Sequence, residues 1–134
     1  NEVFLDKQNL ERMFDCPITG MAYPYGTYND EVVQILKKCK IQYARSVVSS
    51  GAFKLQKNLL IFKPTCHHAD ENIWELLEKF LKEKSEEKQL FYIWGHSYEF
   101  DVNNNWKRME EILDRLIGHN NIFYGTNREV LLPC

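Results

Sequence analysis

Residues 91–98 read Phe91-Tyr92-Ile93-Trp94-Gly95-His96-Ser97-Tyr98, an apolar run that ends on a histidine and then turns polar. A short run of β-branched and aromatic residues bounded by glycine reads as a buried strand. A histidine at the end of such a strand stands where α/β folds build their sites. Two further runs end the same way. Met21-Ala22-Tyr23 leads into Pro24-Tyr25-Gly26, and the run 59–62 leads through Pro64 into Cys66-His67-His68. Three of the four histidines therefore follow strand-like runs.

Outward from these runs, the apolar period alternates between about 2 and about 3.6. Val32, Ile35, Leu36 and Cys39 recur at helical spacing, with Thr27 and Asn29 as candidate caps. A second helical stripe is Ile73, Leu76, Leu77, Phe80 and Leu81, which dissolves into the charged run 82–88, a solvated helix end. The third is Trp106, Met109, Ile112, Leu113 and Leu116, preceded by Asn103-Asn104-Asn105 and closed by Gly118. Strands are predicted over 18–23, 43–48, 59–62, 90–94 and 121–124. Strands separated by single helices imply a mainly parallel sheet with flanking helices and right-handed crossovers. Five strands are too few to close a (β/α)₈ barrel, which needs about 250 residues.

The 134 residues predict a single domain that buries about two-thirds of its unfolded surface. A formal net charge of −2 excludes a general nucleic-acid binder, which needs a basic face. No apolar run approaches the ~20 residues of a membrane span, and no signal peptide is evident. The start at Asn1-Glu2-Val3, without methionine, reads as processed or cut from something longer. Cys16, Cys39, Cys66 and Cys134 are widely spaced with no CxxC pair. They read as reduced thiols of a cytoplasmic protein, with Cys39 a small core residue.

Ala22-Tyr23-Pro24-Tyr25-Gly26, then Tyr43-Ala44-Arg45-Ser46-Val47, then Trp94-Gly95-His96-Ser97-Tyr98-Glu99-Phe100-Asp101 resemble, in order and spacing, the polysaccharide deacetylase (NodB-homology) family. Ile122-Phe123-Tyr124-Gly125-Thr126-Asn127-Arg128-Glu129 is similar to its final strand region. The resemblance covers nearly the whole chain but only the later half of the family's domain. It implies part of a distorted barrel of seven or eight strands and a hydrolase that removes acetyl groups from carbohydrates with a zinc-like divalent metal. The aspartate and histidines that hold that metal belong to early segments, expected before Asn1 and absent from this chain.

Under the resemblance, His96 is the general acid that protonates the departing group. An imidazole, titrating near neutral pH, suits that task. Tyr23, Pro24, Tyr25 and Gly26 shape one wall of the groove, where a backbone N–H can support an oxyanion. Ala22 stands where the family carries an arginine that orients its catalytic aspartate, and Arg45 is either its substitute or a surface arginine. Trp94, Tyr98 and Glu99 are expected on the substrate side, and Trp106 either stacks on sugar there or belongs to the core.

Cys66-His67-His68 with Asp70 also invites a metal reading. Adjacent strand residues point to opposite faces, so only one histidine faces a given site unless the strand has ended. His67 or His68 is expected to line the groove, and His119 to be a loop or capping residue. Three readings stay open. They are an enzyme segment acting on an acetylated sugar, a non-catalytic carbohydrate- or protein-binding relative, and a self-contained metalloprotein using the Cys66-His67-His68 cluster with His96. A half barrel exposes a strand edge, so a homo-oligomer is expected.

Overall fold

The computed structural model describes residues 2–132. In chain order these form α1 (Glu2–Phe14), β1 (Gly20–Ala22), a 3₁₀ turn (Pro24–Gly26), α2 (Asp30–Lys38), β2 (Tyr43–Arg45) and a second 3₁₀ turn (Leu59–Ile61). Then follow β3 (Cys66–His67), α3 (Ile73–Lys82), β4 (Ile93–Trp94), α4 (Ser97–Val102), α5 (Trp106–Leu116) and α6 (Asn127–Leu131). The chain is mixed α/β. Among the described residues the strands make two parallel pairs, β1 with β2 and β3 with β4, and close no barrel.

The chain divides into two compact units. The first comprises Asn1–Val47, Gln56–Lys63 and Tyr124–Cys134. Here β1, α2 and β2 make a parallel crossover, with Gly20, Met21 and Ala22 opposite Tyr43, Ala44 and Arg45. Asn29 starts α2 by accepting the Val32 N–H at 2.8 Å, and Asp30, Glu31, Lys37 and Lys38 complement the helix dipole at its two ends. Val33 and Leu36 turn inward to join Tyr23, Ile41, Ala44 and Leu60 in the core. Each such aliphatic side chain contributes about 1.5–3 kcal/mol by burial.

The second unit comprises Val48–Leu55 and Pro64–Phe123. Cys66 and His67 lie opposite Ile93 and Trp94, and the ladder is extended by Thr65 N–H to Tyr92 O (2.8 Å) and His68 N–H to Trp94 O (2.9 Å). Ile73 and Leu77 of α3 and Ile112 of α5 are fully buried with Cys66. Arg108 of α5 reaches across to the turn after β3, donating to the carbonyls of His68 (3.0 Å) and Asp70 (2.7 Å). Its guanidinium also stands over the Trp74 ring at 5.2 Å.

Two strands are placed differently from expectation. The segment 59–62 is a 3₁₀ turn in which only Phe62 bridges to a strand, at Arg45. Asn58 accepts the Leu60 N–H at 3.2 Å, a local bond that competes with ladder pairing. The strand forms beyond Pro64 instead, at Cys66–His67. The segment 121–124 is irregular after a turn in which Ile122 N–H donates to His119 O. Phe123 and Tyr124 there are largely exposed, whereas a strand of alternating or continuous apolar residues needs a surface to cover. Among the described residues, the expected edge strand at 121–124 is thus not formed.

The three helical stripes are found as α2, α3 and α5. In α5, however, Trp106 and Leu113 are half exposed, not core. Trp106 instead packs its ring at 4.8 Å from Phe100 and donates Nε1–H to Asp101 at 2.7 Å. Gly118 takes a positive φ just past the end of α5, and His119 Nε2 lies 3.0 Å from Arg115 O, so both serve the helix end. No helix among the described residues is long and apolar enough to cross a membrane.

Candidate functional site

β3 ends at His67, and that ending decides the site. Past it the chain turns, with Asp70 N–H donating to His67 O at 3.0 Å. The alternation of a strand no longer applies, so His67 and His68 present their rings side by side, with centroids 4.3 Å apart. His68 is 2% exposed and packs on Phe100, while the edge of Trp94 meets His67. Gly95, at φ +156°, makes the space. A Cβ there would overlap the His68 ring, so only glycine lets β4 pass so close.

Glu99 comes to the same place by helix capping. His96 precedes α4 and Glu99 is its third residue, so the carboxylate folds back and accepts the His96 N–H at 2.7 Å. The same oxygen, Oε2, lies 2.9 Å from His68 Nε2, 3.2 Å from His67 Nε2 and 3.4 Å from His96 Nδ1. Four nitrogens thus surround one oxygen. Nδ1 of His67 accepts the Ala69 N–H at 3.1 Å, which leaves Nε2 of that ring to carry the proton toward Glu99. Nδ1 of His68 is buried without a hydrogen-bond partner.

The electrostatics follow from this crowding. Burial alone would raise the Glu99 carboxyl. The bonds from His68 and the His96 N–H, with the pull of the His67 and His68 rings, outweigh it and hold the group at about 2. Burial, then the neighbouring His68, push His67 below the ordinary histidine range, against the opposing pull of Glu99. Cys66 is part of the core, and burial, reinforced by Asp70, pushes its thiol up to about 12. The reading that grouped Cys66 with the histidines is corrected by geometry, since the converging donor set leaves Cys66 out. Among the described residues, the set whose donor atoms converge as ligands would is His67, His68 and Glu99, all within 4.8 Å of one another.

Of the residues singled out from sequence, the second unit brings His67, His68, His96, Glu99, Trp94 and Tyr98 together. His96 is half exposed, with the Trp94 ring at 5.9 Å and the Tyr98 ring at 5.4 Å. Tyr23, Pro24, Tyr25, Gly26 and Arg45, expected on the same groove, belong to the first unit. Tyr23 is buried there and donates its hydroxyl to Leu60 O at 2.6 Å. Pro24 and Gly26 frame the 3₁₀ turn, and Tyr25 at its middle is 95% exposed with φ +55°. Arg45 sits opposite Ala22 in the ladder and donates from Nη1 to Ser46 O at 3.1 Å. Cys16, Cys39 and Cys66 are free thiols, and Cys134 lies outside the described residues.

Arg108 and Gly95 are the contributors that sequence reasoning passed over as site residues. Gly95 had a visible signal, a glycine between an apolar strand and a histidine. Arg108 had none, because its carbonyl partners lie about forty residues earlier in the chain. Comparison with family models, with curated proteins and with solved structures finds no match to this chain.

Proposed function

We propose that this chain is the acid-side segment of a carbohydrate deacetylase-like hydrolase, with His96 as proton donor to the group that leaves the acetyl carbon. The observation that carries this reading is the setting of His96. It follows β4 directly, is half exposed between Trp94 and Tyr98, and has Nδ1 3.4 Å from the Glu99 carboxylate. A carboxylate beside one ring nitrogen orients an imidazole. Catalytic hydrogen bonds are often long before substrate arrives. The resemblance in Trp94-Gly95-His96-Ser97-Tyr98-Glu99 supports the same role. The chemistry such an enzyme's divalent metal would supply is Lewis-acid polarisation of the acetyl carbonyl and activation of water. The aspartate and paired histidines that the resemblance assigns to that metal are not residues of this chain.

A second reading, binding without hydrolysis, is favoured by the exposed aromatic rings of Tyr98 and Trp106, which offer sugar-stacking surface. One titration tests the shared part. An N-acetylated chitooligosaccharide or an acetylated xylan fragment is added to the labelled chain, and the side-chain signals of Trp94, His96 and Tyr98 are followed by NMR. Saturable shifts of these three are expected, with no acetate released even when zinc or cobalt is added. Acetate release that disappears in His96→Ala would mean that this chain completes the reaction by itself. If neither saccharide moves the three residues, both readings fall.

A further inference from the structure

We infer that His67, His68 and Glu99 form a binding site for one first-row divalent cation of the zinc type, built from this chain's own residues. The inference goes beyond the saccharide reading and stands or falls independently of it.

Three observations carry it. The donor set is two imidazole nitrogens and one carboxylate oxygen, a combination used where zinc keeps a coordination position open. The spacing fits. An ion with bonds of about 2.0–2.2 Å in tetrahedral or octahedral geometry sets neighbouring donors about 3.0–3.4 Å apart. Here the two imidazole nitrogens stand 3.2 and 2.9 Å from Glu99 Oε2. The frame is also prepared for close approach, since Gly95 clears the His68 ring and Arg108 ties down the carbonyls on either side of the turn. His96, half exposed and adjoining the same oxygen, borders the open side.

Without an ion, four nitrogens crowd one oxygen and His68 Nδ1 has no partner. A cation accepts both Nε2 lone pairs and leaves the ring protons on Nδ1. That tautomer carries a burden here. His68 Nδ1–H finds no acceptor, and His67 Nδ1–H opposes the Ala69 N–H that it now receives. Outer hydrogen bonds that support ligating histidines are worth roughly 10–100-fold in affinity, so the site should bind about that much more weakly than one whose histidines keep such partners. The Ala69 amide should move when the ion enters.

Calorimetric titration of the full chain with zinc chloride, and visible absorption with cobalt chloride, test the site. The expected result is one ion per chain, a cobalt spectrum of nitrogen and oxygen ligation without thiolate bands, and a shifted Ala69 amide. Glu99→Gln and His67→Gln should each weaken binding at least about 10-fold, with circular dichroism showing both variants folded. The Cys16→Ser/Cys39→Ser double variant and His119→Gln should bind as the parent does. Binding that survives Glu99→Gln, binding lost with the cysteines or His119, or no binding at millimolar zinc would each overturn the inference.

Discussion

Each unit sets two short parallel strands side by side, and each strand pair runs into a turn that carries a buried polar ring. In the first unit that ring is Tyr23, whose hydroxyl donates to Leu60 O at 2.6 Å. Its polar atom is spent inside the fold. In the second unit the ring is His68, which shares one carboxylate oxygen with His67 and His96 and keeps Nδ1 without a partner. Buried polar groups normally find partners. A satisfied one reads as structure, whereas a carboxylate oxygen crowded by four nitrogens reads as a donor set gathered for a ligand, at a cost in the unpartnered His68 Nδ1 that a cation does not remove. Both turns were expected to line one groove, yet the chemistry of their atoms separates them.

The largest effect expected from breaking this contrast is at Gly95. Gly95→Ala forces a Cβ into the His68 ring at a φ of +156°, so overpacking and backbone strain together should destabilise the chain by about 3 kcal/mol. Gly51→Ala, at φ +60° with nothing within 4 Å, should lose only about 1–2 kcal/mol. Equal midpoint shifts of the two variants in urea would show that the His68 ring tolerates displacement.

The next effect belongs to Tyr23. Tyr23→Phe removes the donor to Leu60 O and should lower stability by about 1–2 kcal/mol. Burial, with Tyr28 adding to it, raises the Tyr23 phenol above its usual value near 10. The neutral phenol is therefore favoured more in the folded state than in the unfolded one. That contribution is complete below about pH 10 and fades as pH rises through the raised folded value. Unfolding curves of parent and Tyr23→Phe should therefore converge above pH 10. Curves that stay parallel would place the hydroxyl's role elsewhere.

The smallest contrast lies at two helix starts. Asn29 accepts the Val32 N–H at the start of α2, while Asn72 before α3 makes no such bond with its side chain. Asn29→Ala should lower stability by about 1 kcal/mol and Asn72→Ala by less than about 0.5 kcal/mol. Thermal unfolding of the pair measures the difference, and a larger loss at Asn72 would reverse the assignment.

Three helices were legible from sequence through the buried members of each stripe, Leu36 in α2, Ile73 and Leu77 in α3 and Ile112 in α5, although Ile35, Trp106 and Leu113 of those stripes stay exposed. α1 was not. Its apolar residues Val3, Phe4, Leu5, Leu10, Met13 and Phe14 follow no single stripe, and none of its residues is fully buried. α4 and α6 are too short for periodicity, though Thr126 and Glu129 carry the spacing of a capping box. The strand after Pro64 escaped notice because Leu59, Leu60 and Ile61 look more strand-like than Cys66 and His67. At the site, His67, His68, His96, Glu99, Trp94 and Tyr98 were all named from the chain alone. Convergence of His67 or His68 with His96 was expected too, but not that both rings meet on the Glu99 carboxylate, since that depends on β3 stopping after His67 and on Glu99 folding back at the start of α4. Both are endings of elements, and element ends are where local patterns say least.

The Arg108 fork has a consequence for how this chain tolerates changes of length. One side chain measures the histidine turn against α5, so only the register near the start of that helix matters to it. The connection at residues 83–88, between α3 and the strand that follows, can gain or lose residues without moving either anchor. A single residue inserted between Arg108 and the buried Ile112 is another matter. It would swing the guanidinium by about 100° around the helix axis and release both carbonyls at once. Insertions that look alike in an aligned sequence would then be silent in one loop and ruinous one helix later.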